Sequence, residues 1–116
     1  MEIKVLKNDD GIFLVELTGS LDLSSSNELK DLIMKMIENK SEQFIISLKK
    51  TDSIDSAGIG ALIYVSSTLK KLNCPLVIIA PEGPILDALE VSGLKGYFAI
   101  ASTLKEAVSL VAAQQN

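Results

Sequence analysis

Between Thr51 and Val65 the chain reads TDSIDSAGIGALIYV, and this segment concentrates its candidate chemistry. The pairs Asp52-Ser53 and Asp55-Ser56 precede Ala57, Gly58, Ile59 and Gly60, after which an apolar helical pattern takes over. A hydroxyl at the first turn of a helix sits beside unpaired backbone N–H groups and the positive end of the helix dipole, where a phosphate is favoured. An adjacent carboxylate can orient that hydroxyl as an acceptor or hold a metal-bound nucleotide, and missing side chains at Gly58 and Gly60 let a second molecule approach. A purely structural reading competes with this one, because Asp and Ser are preferred N-cap residues and small residues let a helix pack close to a sheet. A cap alone needs no glycines, however, and each glycine costs about 1 kcal/mol relative to alanine inside a helix. Ser56 is therefore the first candidate acceptor and Asp55 its neighbouring acid. Ser53 is the second candidate, although its place before Ile54 suits a loop residue bonded to its own backbone.

The rest of the composition narrows what such a hydroxyl can do. The chain has no histidine, which removes the usual neutral-pH base, the Ser-His-Asp triad and most zinc sites. Its one cysteine, Cys74, excludes an internal disulfide and a cysteine metal cluster, and its place before a proline in a turn suggests no role of its own. A serine nucleophile would need lysine or a carboxylate as base, and no strand-G-x-S-x-G-helix elbow is present. Nor is the Gly58-Ile59-Gly60 triplet a phosphate-binding P-loop. With 15 acidic against 11 basic residues the net charge is −4, so the basic face that nucleic-acid binding requires is lacking. No apolar run nears the roughly 20 residues of a membrane helix, and the N-terminus MEIKVLKNDD shows no secretory pattern. A cytoplasmic protein without direct membrane insertion, without cofactor or metal, and non-enzymatic, is expected.

The elements that must position Ser56 follow from hydrophobic periodicity. At 116 residues one domain spanning 1–116 is expected. IKVLK and IFLVELTG read as strands joined at Asp10-Gly11, a two-residue type I′ hairpin signal. SSSNELKDLIMKMIENK reads as an amphipathic helix with Leu29, Leu32, Ile33, Met36 and Ile37 on one face, capped by one of Ser24, Ser25 and Ser26. QFIISLKK is a strand covered on both faces, ending near Leu48, where Lys49 and Lys50 read as solvated charges. A loop then leads to a second helix from about Ser56 to Leu72, with Ile54 turned inward as an anchor. LVIIA is another buried strand, PILDALEVSG a helix stopped at Gly93 with Leu94 packing inward, YFAIA a last strand, and STLKEAVSLVAAQ a final helix opened by a Thr103–Glu106 capping box. The order β-β-α-β-α-β-α-β-α predicts an α/β fold of about five strands and four helices, mostly parallel with an N-terminal antiparallel hairpin strand. Such sheets meet ligands at the carboxyl ends of their strands, where Asp55 and Ser56 fall.

Three segments, GSLDLSSSNELKDLI, ISLKKTDSIDSAGIGALI and LEVSGLKGYFAIASTLKEAV, together resemble the STAS domain, in its stand-alone anti-sigma factor antagonist branch. The likeness spans nearly the whole chain, and its most specific part is the D-S-x-G-x-G segment. The resemblance implies a partner switch. An antagonist of this kind binds, unphosphorylated, an anti-sigma factor that is also a GHKL-type serine kinase, so releasing a sigma factor; phosphorylation switches it off and a serine phosphatase resets it. Carried over, Ser56 is the phosphoacceptor, and Asp22, Asp55, Ala57, Gly58 and Gly60 form its environment and partner-binding set. Read without the resemblance, Asp22 is a helix N-cap or turn residue. Two departures stand out: Ser20 replaces the more usual acid before Leu21-Asp22, and Asn73-Cys74 replace a frequent glycine pair. The resemblance leaves open a second role, as a scaffold in a stress-sensing complex or an accessory of a membrane or lipid transporter.

Overall fold

The computed structural model describes residues 1–8, 10–37, 42–93 and 96–114. Strands β1 (Glu2–Lys7) and β2 (Ile12–Leu21) pair antiparallel, with Val5 opposite Val15 and Lys4 opposite Glu16. Their turn differs from the expected two-residue form. Asn8 closes it, its backbone oxygen accepting from Gly11 N at 3.1 Å and its Oδ1 from Ile12 N at 2.8 Å. Gly11, with φ +81°, takes a left-handed step, and the Asn8 side chain completes the turn by accepting from both Asp10 N and Ile12 N.

The remaining elements are α1 (Leu23–Met36), β3 (Gln43–Ser47), β4 (Thr51–Ile54), α2 (Ser56–Lys71), β5 (Leu76–Ile79), α3 (Pro84–Val91), β6 (Ile100–Ala101) and α4 (Leu104–Gln114). The sheet runs β1-β2-β3-β5-β6, parallel except for the opening hairpin, as the alternation of strands and helices predicts. Core residues of α1, α2 and α3, among them Leu29, Ile33, Leu62, Leu69 and Leu89, cover one face with Val15, Phe44 and Ile78. Ala107 and Val111 of α4 cover the other over Ile45 and Val77. This two-sided cover explains why β3 and β5 are apolar almost throughout.

A sixth strand is the main departure from expectation. The sequence between Leu48 and the second helix reads as a loop, yet Thr51–Ile54 forms β4, parallel to the upper part of β2. β2, at 10 residues, outlasts β3, and a turn through Lys49 and Lys50 lets the chain resume pairing with the uncovered end of β2. The buried Thr51 secures the join by donating its hydroxyl to Leu17 O at 2.8 Å. The last strand is shorter than YFAIA suggested, with only Ile100 and Ala101 paired to β5.

Helix ends obey local rules with two reassignments. Asp22, not one of the serines after it, caps α1; Ser25 is its reciprocal partner and is buried with Ser26. At the end of α2, Cys74 N donates to Leu69 O at 2.9 Å and Asn73 N to Lys70 O at 3.1 Å, a Schellman motif with Asn73 at φ 58°. Asn73 supplies the left-handed residue that a glycine supplies elsewhere, and Cys74 is buried against the core rather than idle. Gly93 N closes on Glu90 O beyond α3, and Thr103 Oγ1 accepts from Glu106 N at 3.1 Å at the start of α4. The expected inward packing of Leu94 lies outside the described residues.

Candidate functional site

β4 is what brings the candidate residues together. In the pairing of β2 with β4, Leu21 stands opposite Ile54, so the residues that follow, Asp22 and Asp55, leave the sheet side by side. Each is the N-cap of the helix it begins. Asp55 N donates across the gap to Leu21 O at 3.3 Å, which ties the two helix starts to each other. Ser56 is the first residue of α2 and is exposed, while Ile54 is partly buried against the core and holds the segment in register.

Both carboxylates are engaged within their own turns. Asp55 Oδ1 accepts from Gly58 N at 2.9 Å, an N-cap bond of the kind worth about 0.5–2 kcal/mol. Asp22 Oδ1 accepts from Ser25 N and from Ser25 Oγ, each at 3.1 Å, and Asp22 N donates to Ser25 Oγ at 2.8 Å. The backbone N–H of Ser25 first, then its hydroxyl, hold the Asp22 carboxyl below the usual aspartate range. Because the folded value is depressed, the capping charge stabilises the fold above the ordinary aspartate pKa and is lost as pH falls through the folded one. A carbon-13 titration of the Asp22 carboxyl should accordingly show a midpoint below that of an unstructured aspartate, and Asp22→Asn should flatten the acid limb of a stability–pH curve. A midpoint at or above the ordinary value would contradict this cap.

The two motif glycines separate in role. Gly58 is buried: a Cβ there would lie 2.4 Å from Leu21 O and 2.8 Å from Ile54 Cγ1. The space it leaves is filled by β2 and β4, so Gly58 lets α2 dock and does not open a path to Ser56 as the sequence suggested. Gly60 is exposed with open space where its Cβ would be, and Ala57, just before Gly58, is partly buried. Ser53, the alternative acceptor, lies on β4 and not in a loop, with its hydroxyl donating to Ser20 Oγ at 2.9 Å. Ser20, the departure noted in the sequence, is thus a partner for Ser53. Leu23, the first residue of α1 as Ser56 is of α2, leaves 67% of its surface exposed and was not signalled as a site residue by its sequence neighbourhood.

Among the described residues no cluster of three His, Cys, Asp or Glu could hold a metal ion, and no helix is long and apolar enough to cross a membrane. The arrangement instead presents the exposed hydroxyl of Ser56 at the start of α2, beside two capping carboxylates. The family model of the STAS domain matches residues 4–107. The chain belongs to the STAS domain family. A Bordetella bronchiseptica STAS relative that carries the name anti-sigma factor antagonist is 21% identical over 100 residues, covering 86% of each chain. Sulfate transporter 1.3 of Arabidopsis thaliana is 29% identical over 112 residues, 84% of this chain but 17% of the transporter. The crystal structure of an anti-sigma factor antagonist from Mycobacterium paratuberculosis superposes with a TM-score of 0.82 at 22% identity, covering 96% of this chain and 95% of that one. The STAS fold implied by the three resembling segments is thereby established, and the antiparallel first strand expected from the element order is present.

Proposed function

We propose that this STAS domain is a non-enzymatic anti-sigma factor antagonist controlled by phosphorylation at Ser56. Unphosphorylated, it binds an anti-sigma factor that is also an ATP-dependent serine kinase, and a sigma factor is released; phosphate on Ser56 ends that complex, and a serine phosphatase restores it. The observation that carries the reading is the exposed hydroxyl of Ser56 at the first residue of α2, beside Asp55 and Asp22. The coverage of nearly whole chains by the Bordetella and Mycobacterium proteins supports a stand-alone module of this kind. Ser53 is a poorer acceptor because its hydroxyl is bonded to Ser20 on a paired strand.

Incubation with the cognate anti-sigma kinase and ATP is expected to add a single phosphate, mapped to Ser56 by tandem mass spectrometry. Phosphate on Ser53 with Ser56 untouched would overturn the assignment. The likeness to a domain within a sulfate transporter favours a second reading, an accessory module of a membrane transport complex. Affinity purification separates the two: recovery of a GHKL-type ATPase supports the switch, recovery of a permease supports the accessory role.

A further inference from the structure

At the start of β5 a side chain stands in for a strand. Successive residues of a parallel strand turn their backbone N–H and C=O groups to alternate sides. Phe44 N of β3 donates to Pro75 O at 2.9 Å, while Ile78 N faces the other way and donates to Ala99 O at 2.9 Å, just ahead of β6. Leu76 therefore turns its N–H and carbonyl to the β6 side, but β6 pairs only with Ile78 and Ile79. Gln114 fills the gap. Its Nε2 donates to Leu76 O and its Oε1 accepts from Leu76 N, both at 3.2 Å. One side-chain amide thus supplies the donor and the acceptor that a residue of a longer strand would supply.

Gln114 ends α4, and α4 is held to the sheet by less than the other helices are. Among the described helices it alone covers its face. The side chains it buries fully are Ala107 and Val111, with Val108 and Leu110 half-buried. Each of α1, α2 and α3 instead buries at least one leucine fully, among them Leu29, Leu62 and Leu89. Alanine and valine withdraw less apolar surface than leucine does, and docking gains only about 25 cal/mol per Å² withdrawn. The other end of α4 is attached through the exposed pair Ser102 and Thr103 to a strand of two residues. Few large buried side chains and a short attachment place an element at the low-stability end of local opening. The paired bonds of Gln114 to Leu76 close its far end.

We propose that α4 is a hinged strap, which lifts from the sheet as one unit about Ser102 and Thr103, and that Gln114 is the latch holding it closed. Opening uncovers the apolar residues Ile45 and Val77 while the helices on the opposite face stay packed. The inference does not depend on Ser56 being a phosphoacceptor. Native-state hydrogen exchange of the intact, nitrogen-15-labelled chain tests it, under conditions where reclosing outpaces exchange. The amides of Leu76 and Val108–Ala113 should share one opening, about tenfold or more as populated as the one that frees Phe44 and Leu48, and less sensitive to urea. Gln114→Ala deletes both bonds yet installs the better helix former, so faster exchange cannot come from propensity. It should speed exchange of Leu76 and Val108–Ala113 together by about fivefold. Ser109→Ala, an exposed change on the same helix that leaves the latch alone, should not speed it. Exchange of α4 only together with Phe44 and Leu48 would overturn the strap. Unchanged rates in Gln114→Ala, acceleration confined to Leu76 and the last turn, or equal acceleration by Ser109→Ala would overturn the latch.

Discussion

Gly58→Ala is expected to destabilise the fold by about 2 kcal/mol or more, while Gly60→Ala, one half-turn further along the same helix, stabilises it by up to about 1 kcal/mol. Alanine is the better helix former at both positions, so propensity alone predicts the same sign. Packing reverses it at one of them. The added Cβ of residue 58 would meet Leu21 O at 2.4 Å, and a backbone oxygen cannot rotate away as a long side chain can. Leu21 O also accepts from Asp55 N, and Leu21 is held by its pairing with Ile54, so relief requires α2 to lift from β2 and β4. That displacement would strain the Asp55 cap and move Ser56, which makes Gly58 a positioning residue for the site. At residue 60 nothing lies within 4 Å of the new methyl. Urea unfolding of the two variants beside the native chain decides the matter; equal stability of Gly58→Ala and native chain would show that the helix docks with more slack than these distances allow. Gly60 lies four residues from Ser56, hence next to it on the helix surface. A bulky replacement such as Gly60→Phe should leave the fold intact and yet lower the rate at which a kinase reaches Ser56, a separation of stability from access that Gly58 cannot give.

That contrast also marks the limit of what residue types alone convey. The D-S-x-G-x-G spacing announces a helix start with small residues, and periodicity locates the four helices and the alternation with buried strands. It does not distinguish a glycine facing inward from one facing a partner, because the difference lies in where β2 ends, a long-range fact. β4 was hidden for the same reason. Thr51, Asp52, Ser53 and Ile54 are too polar and too few to announce a strand, and they pair because β2 extends past β3. Without that pairing Asp22 and Asp55 are merely two capping residues some thirty positions apart; with it they are neighbours. The hairpin was legible as a hairpin but not as a turn type, since the deciding bonds come from the side chain of Asn8. The brevity of the last strand was equally hidden, because the YFAIA pattern suggests a longer one.

If the proposed switch holds, charge at Ser56 is expected to weaken binding to an anti-sigma kinase about 100- to 1,000-fold, which at 1.4 kcal/mol per factor of ten corresponds to about 3–4 kcal/mol. Leu23 and Ser56 are the first residues of adjacent helices, and a partner that covers the hydroxyl covers this exposed leucine as well. Leu23 then supplies apolar area while Ser56 needs only a neutral contact. A phosphate would add about −1.5 to −2 charges at neutral pH, beside two carboxylates whose own hydrogen bonds are spent on capping. The N-terminus of α2 offsets part of such a charge, but once a partner excludes water the remainder is buried without a counter-charge, a situation that costs up to about 3–5 kcal/mol. Local desolvation suffices, and no rearrangement of the sheet is required. Calorimetry with four forms tests the account: native chain and Ser56→Ala should bind within a few-fold of each other, Ser56→Asn should stay close to them, and Ser56→Asp should fall by the stated factor. Asparagine has nearly the shape of aspartate without its charge, so an equal loss in both would assign the effect to size. Desolvation and long-range repulsion are separated by salt. The screening length shrinks from about 8 Å at physiological ionic strength to about 3 Å at 1 M, so repulsion across solvent would be largely relieved, whereas the penalty for stripping water from a contacting charge would persist. Recovery of native affinity by Ser56→Asp at high salt would therefore place the repelling partner charges outside the contact, and the switch would act on encounter rather than on the bound interface.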